Sequence, residues 1–390
     1  MPDPRTPLDR FILLNALAWA GGTIGYVPLL SILLPVQVAG LAGKEAGVDW
    51  LAYIALVGAI AASLGGILFG YLSDITRNRR GWIAAGLVLS SAMLLVIGQL
   101  TSLPQLVAGI VVWQLGLNMM LGPLAAWAGD VVPDDHKGLL GGLMAFAPGL
   151  GALSGALVTI PGLADGPVRL ALVAALIALC VVPVLLHGAP GSMPAQIPAQ
   201  TEPRRKQGLA LRMWLARLAV QVAEATLFAY LFFWLLSLDP TVSDNETARL
   251  FSLILLVSAP LALLVGRWSD QTDRPIMPLQ ACALISALGL IGMALAPDVP
   301  GAMLSYGLFG VSSAVFLALH SAQTLRILPR PDRRGRDLGL FNLANTVPSL
   351  VMPWLTMAIV PVAGYPALFA LLAGLAALSG LLLRNMTPTN

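Results

Sequence analysis

Charge is what this chain most lacks. Its 390 residues include 22 Lys and Arg and 19 Asp and Glu, 11% in all, where a soluble domain carries roughly a quarter. So little charge cannot coat a globular surface with water, which excludes an ordinary soluble domain. The formal net charge of +3 is too small to point to a nucleic-acid partner. Only two cysteines occur, Cys180 and Cys282, both inside apolar runs. They read as small core hydrophobes, not as a disulfide, a metal pair or a nucleophile. The three histidines, His136, His187 and His320, are scattered. No His, Cys and carboxylate group has metal-ligand spacing, and no phosphate-binding loop is present. Neither an enzyme nor a cofactor or metal site is expected.

Apolar length is what the chain has instead. It is 57% hydrophobic, with a mean hydropathy of +0.83. Trp50 to Phe69 and Gly81 to Gln99 hold no charge at all, and Phe11 to Gly43 is charge-free as well. About 20 apolar residues span a bilayer as a helix, and the first of these runs is too long for the apolar region of a cleaved signal. Twelve helical spans are expected near 11–40, 50–72, 82–100, 103–129, 138–163, 167–187, 210–238, 247–268, 276–296, 299–326, 338–362 and 366–384, an all-α membrane fold. With the N-terminus inside, 18 of the 22 basic residues fall on the cytoplasmic side. Lys44, Arg169 and Arg249 fall outside and Arg217 within a span, a bias that follows the positive-inside rule and puts both termini in the cytoplasm. Gly188 to Gly208 is rich in Pro, Gly and Gln and reads as a linker. It divides the chain into six-helix halves at 1–187 and 210–390, joined by 188–209.

Between spans 2 and 3 sits a small charged hinge, GYLSDITRNRR, Gly70 to Arg80, and a second version, GRWSDQTDR, starts at Gly266. At an offset of 196, Gly70 falls on Gly266, Ser73 on Ser269, Asp74 on Asp270 and Thr76 on Thr272. The same offset carries Pro133 onto Pro329 and Lys137 onto Arg333, in the loops after spans 4 and 10. Two loop types repeating at one offset indicate an internally duplicated transporter.

Gly70, Leu72, Asp74 and Arg79 fit the G-x-L-x-D-x-x-x-x-[RK] hinge of the major facilitator superfamily, and Gly266, Asp270 and Arg274 form a weaker copy. The chain resembles that family over almost its whole length, and departs from the hinge pattern at Ile75 and Arg77. GYLSDITRNRRG, with DLGLFNLANTVP from Asp337 to Pro348, resembles the sugar–cation symporter branches, including the glycoside–pentoside–hexuronide group. The resemblance implies that Asp74 engages the start of span 11 and that its second copy, Asp270, engages span 5. Arg334 and Arg336 supply opposite charge at span 11. Asp74, Arg79, Asp270, Arg274, Arg334 and Arg336 are the expected gating residues. Simple turn-capping by Asp74 is the plainer alternative.

The same resemblance implies a substrate cavity lined by spans 1, 4, 7 and 10. Polar residues concentrate there: Asn15, Trp19 and Tyr26, then Trp113, Gln114 and Asn118, then Arg217, Gln221, Glu224 and Tyr230, then Phe316 and His320. Asn342 and Asn345 share a face of span 11. Polar groups in a membrane are costly unless they face a cavity or a partner, but interhelical hydrogen bonding at about 1 kcal/mol each serves Asn15, Gln114 and Asn118 equally well. Single aromatic residues serve as packing just as readily. Glu224 differs from the other acids in lying deep in a span, with Arg217 two turns away. Desolvation there favours the neutral acid and a nearby cation the carboxylate, so Glu224 and Arg217 are the expected proton-coupling pair.

The expected function is a secondary active transporter moving a small organic solute by alternating access, with protons or sodium as the coupling ion. Sugar or glycoside uptake is favoured. The expected setting is the inner membrane, as a monomer whose partners are its substrate and the lipid bilayer. The alternative is an exporter of amphipathic compounds, because LMAFAPGLGA, Leu143 to Ala152, keeps part of the antiporter motif G-x-x-x-G-P-x-x-G-G. A non-transporting carrier or assembly factor is a third class, and no long charged domain supports it.

Overall fold

In a bilayer each backbone N–H and C=O must find its partner within the segment, so these apolar runs can only be helices. The computed structural model describes residues 7–133, 136–144, 146–188, 207–272, 274–327, 334–384 and 386, and among them there are helices and turns but no strand. In chain order the helices are α1 (Leu8–Gly43), α2 (Ala46–Thr76), α3 (Arg79–Ile97) and α4 (Leu103–Val131). Next come α5 (Lys137–Met144), α6 (Ala147–Val158) and α7 (Gly166–His187). Then follow α8 (Gln207–Leu238), α9 (Asp244–Gln271), α10 (Met277–Leu295) and α11 (Val299–Ile327). The last helical stretch is broken at Gly364 into α12 (334–363) and α13 (365–383). Among the described residues, ten stretches are long and apolar enough to cross a membrane, the one ending at Leu383 counted as one. Dividing that stretch at Gly364 and taking α5 with α6 as the fifth crossing gives the expected twelve.

Local sequence explains the joints. Gly43 and Gly364 both sit at φ 74, a left-handed backbone that costs glycine little and other residues much. Each lets one helix follow another with almost no loop. Within α1, Leu29–Leu33 widens to a π-helical turn, closed by the Leu34 N–H on the Leu29 carbonyl. Pro35 follows directly and has no N–H to give, which accounts for the slip of the ladder. The fifth crossing was expected as one helix over 138–163. It is two short pieces around Phe146, ending at Val158, with Gly162 at φ 77 in the turn beyond. Pro104, Pro167 and Pro278 each lie in the first turn of a helix, where a missing N–H does no harm.

The chain forms two compact units, residues 1–195 with 243–252, and 196–242 with 253–390. The linker 189–206 lies outside the described residues. In the first unit, helices meet through small residues. A Cβ on Gly116 of α4 would stand 2.9 Å from the Ser90 nitrogen of α3, and one on Gly151 of α6 2.8 Å from the Thr23 carbonyl of α1. Thr23 Oγ1 then donates to the Ala147 carbonyl at 2.7 Å. The first turns of α9 belong to this unit: Asn245 Nδ2 donates to the Ala156 carbonyl and Thr159 Oγ1, both at 3.1 Å. Arg169 Nη1 forms an ion pair with Asp244 Oδ2.

In the second unit, Gly289 of α10 plays the corresponding part, where a Cβ would lie 2.6 Å from the Phe309 nitrogen of α11. Nearby, Ser286 Oγ and Ser312 Oγ are 2.8 Å apart. These two serines lie 196 residues after Ser90 and Gly116, so the duplication seen in the hinges extends to a helix crossing. Without a hydrophobic driving force between helices, such close backbone contact is a main source of association.

Gly289→Val should therefore force α10 off α11 at a cost of about 1–3 kcal/mol, while Gly129→Ala, which points into open space, should be neutral. Melting temperatures of the purified variants in one detergent check this, and equal values would contradict the packing account.

Candidate functional site

Two regions gather the polar groups that the apolar helices otherwise exclude. The first is the hinge between α2 and α3. α2 stops because Arg77 takes a left-handed conformation, φ 49, the sole positive φ outside glycine among the described residues. Asn78 then caps α3, its Oδ1 accepting from the Gly81 N–H at 2.9 Å. Thr76 Oγ1 donates to the Leu72 carbonyl and accepts from Trp82 Nε1, each at 2.8 Å. Buried Ser73 donates to the Gly70 carbonyl at 2.8 Å.

Arg79 lies at the centre of this hinge. Its Nη2 lies 2.5 Å from Asp74 Oδ1 and 3.0 Å from Asp130 Oδ2. Its Nε reaches the same Asp130 oxygen at 3.2 Å, and its Nη1 reaches Ser73 Oγ at 2.5 Å. The Arg79 side chain is 16% exposed, Asp130 38% and Asp74 61%. The half-buried Asp130 contact should count for more than the solvated Asp74 one. Asp130, at the end of α4, is the residue that ties the hinge to a third helix. Arg80 lies over the Trp127 ring, 5.4 Å from its centroid.

The second hinge repeats the first in part. Thr272 Oγ1 donates to the Trp268 carbonyl at 2.8 Å, the same bond moved by 196 residues. Ser269 is buried like Ser73, but it donates to the Arg274 carbonyl at 3.3 Å. The Arg274 guanidinium lies 3.9 Å from the Met277 sulfur. The side chains of Asp270, Arg334, Arg336, Asn342 and Asn345 lie outside the described residues.

The cavity candidates fall into two groups, one in each unit. In the first, Asn15 is buried on α1 and its Nδ2 donates to the Leu124 carbonyl of α4 at 3.4 Å, while its Oδ1 has no partner among the described residues. Asn118 Nδ2 donates to the Gln114 carbonyl at 2.9 Å and to Gln114 Oε1 at 3.4 Å. Trp113 is fully buried, with no partner for its Nε1 among the described residues. Trp19 and Tyr26 are half-buried.

In the second unit, α8 and α11 are joined by two side chains. Arg217 Nη1 donates to the Leu317 carbonyl at 3.3 Å. His320 Nε2 lies 2.8 Å from the Met213 carbonyl; a carbonyl only accepts, so this nitrogen carries the proton. His320 also packs on Phe316, ring centroids 5.5 Å apart. Phe316 itself is fully buried in an apolar cluster with Met213, Ala216, Val220, Leu279 and Ala283, and Tyr230 is equally buried. Gln221 Nε2 donates to Glu224 Oε2 at 3.2 Å, and Gln221 Oε1 has no partner among the described residues. Glu224 lies within electrostatic reach of Arg217 and of buried Tyr306 on α11. Tyr306 has no distinguishing signal in the sequence, because a single tyrosine in an apolar helix reads as packing. Glu224, Gln221, Arg217 and Tyr306 thus form one polar group inside apolar helices. Among the described residues no cluster of His, Cys, Asp and Glu could hold a metal.

The helices and this polar interior define a multi-pass helical membrane protein, and the comparisons make the class specific. Residues 213–390 match the family described as Major Facilitator Superfamily. No curated protein matches the chain. Among solved structures, a bacterial homologue of the human lysosomal transporter Spinster, inward-facing and unoccupied, is 14% identical with a TM-score of 0.68, covering 98% of this chain and 95% of that one. The human organic anion transporter MFSD10 (TETRAN) is 17% identical with a TM-score of 0.65, covering 98% of this chain and all of the other. Over residues 213–390 the chain matches the Major Facilitator Superfamily in sequence, and along almost its whole length it shares the fold of these solved transporters.

The hinge geometry is testable by a double-mutant cycle of Arg79→Gln and Asp130→Asn, read from thermal stability. A coupling of up to about 1 kcal/mol is expected for a half-exposed pair of this kind, and strict additivity would contradict the contact.

Proposed function

We propose that this transporter is a proton-coupled secondary carrier of a small organic solute, working by alternating access in the cytoplasmic membrane with both termini inside. The observation that carries this reading is Glu224, an acid set inside α8 beside Gln221 and within reach of Arg217 and Tyr306. An ionisable group inside a membrane is costly and points to an ion or substrate pathway. The Gln221 donor and the nearby Arg217 favour the carboxylate, while removal from water favours the neutral acid, so the two forms are balanced against each other. Such a group takes a proton from one side and releases it to the other as access alternates. The 18 basic residues clustered on one side support the orientation. The division into halves at 1–187 and 210–390, joined by 188–209, belongs to the same proposal, as does binding near the membrane midplane.

For the substrate, the hinge wording favours a sugar or glycoside taken up with the proton. A second reading, an organic anion, is supported by Arg217, a cation held inside a span. Export of an amphipathic compound requires the same proton site run in the opposite direction.

Glu224→Gln should abolish accumulation of substrate against its gradient in proteoliposomes while leaving counterflow exchange measurable. The substrate comes first from a thermal-shift panel of sugars, organic anions and amphipathic compounds, in which ligand stabilisation grows with concentration over Kd. Accumulation driven by a pH gradient in Glu224→Gln at the parent's level would overturn the proton role.

A further inference from the structure

α9, α10 and α11 enclose an apolar groove of about 580 Å³ inside the second unit. The groove is far larger than the voids that close-packed interiors leave, and it opens at the surface of the unit. The rim is open: Trp268 is 43% exposed, Met277 48% and Leu308 47%. α10 is long and apolar enough to cross a membrane, so what surrounds that rim is lipid. Ser312 is the lone hydroxyl-bearing residue in the lining, and its Oγ is already engaged, with the Leu308 carbonyl at 2.7 Å and Ser286 Oγ at 2.8 Å. The groove therefore offers nothing to a polar ligand, whose own groups would be left unpaired. At Gly307 an added methyl would meet nothing within 4 Å, which puts unfilled space directly beside the backbone.

One end of the groove is different. There the Arg274 guanidinium lies 3.9 Å from the sulfur of the rim residue Met277, and Trp268 lines the groove on α9. Trp and Arg are the side chains that anchor helices at the membrane interface, and a guanidinium is matched in shape and charge to a phosphate. We propose that this groove binds one glycerophospholipid, an acyl chain lying between α9, α10 and α11 and the phosphate held by Arg274. Asp270 and Asp273 share the same stretch of sequence as Arg267 and Arg274, so the net charge there is balanced. Recognition rests on the direct guanidinium–phosphate contact and not on a general positive field. The site is separate from Glu224, and it stands or falls without the proton reading.

The test uses the full-length protein, delipidated in detergent and titrated with phosphatidylglycerol or with diacylglycerol of the same chains. Native mass spectrometry counts the retained lipid. The parent should keep one phosphatidylglycerol, preferred over diacylglycerol by about fivefold, the scale of one arginine near an anionic headgroup. Arg274→Gln should erase that preference and keep the chain. Gly307→Leu should fill the groove and remove the adduct without lowering the melting temperature. Ile285→Trp, also in the lining, provides a second blockade should Gly307→Leu fail to fold. A parent with no discrete adduct would overturn the proposal. So would equal retention in the blocked variants, or an unchanged preference in Arg274→Gln.

Discussion

A charge carried into a bilayer must be neutralised, paired or given water, and the second half of this chain is organised around that demand. An acid or base at the centre of a membrane helix costs about 2.5–3.5 kcal/mol on insertion scales. α8 carries one of each, Arg217 and Glu224. α11 meets Arg217 with the Leu317 carbonyl, while Glu224 is met on α8 itself by Gln221. His320 returns a hydrogen bond to the α8 backbone at Met213. The polar interior and the α8–α11 contact are thus one arrangement, in which a side chain of each helix is met by the backbone of the other.

The first half has no such demand. The positions 196 residues before Arg217 and Glu224 are Gly21 and Pro28, both in α1, which uses small residues for close packing. The two halves keep the same framework where it is purely structural: Thr76 and Thr272 make the same backbone bond, and Ser90 with Gly116 corresponds to Ser286 with Ser312. They diverge where charge matters. Arg79 is held by two carboxylates; the Arg274 guanidinium lies beside the Met277 sulfur at a groove mouth, with the Asp270 side chain outside the described residues. The offset of 196 relates the shared framework contacts, and it pairs Arg217 and Glu224 with uncharged residues.

Much of the fold was legible because membrane spans are set by apolar length, and the hinges because Gly, Asp and Arg recur at one offset. The breaks were harder. Two glycines with φ 74 act as whole connections, and the fifth crossing divides near Phe146 where the sequence runs on as one apolar stretch. The site was legible only where a residue's type is itself improbable, as with Glu224 in mid-span. Asp130 was missed because its partner Arg79 lies 51 positions earlier and no local pattern links them. Tyr306 looked like one more aromatic in an apolar helix. The bond between His320 and the Met213 carbonyl involves a backbone acceptor, which no side-chain pattern reveals.

The central claim is that Glu224 exchanges a proton inside the membrane. Infrared difference spectroscopy of the reconstituted protein across a pH titration tests it most directly, because a protonated carboxyl buried from water gives its own carbonyl band. The account predicts one such band that appears and disappears with pH, shifts when substrate binds, and is missing in Glu224→Gln. A spectrum in which no buried carboxyl titrates, or one left unchanged by Glu224→Gln, would contradict it.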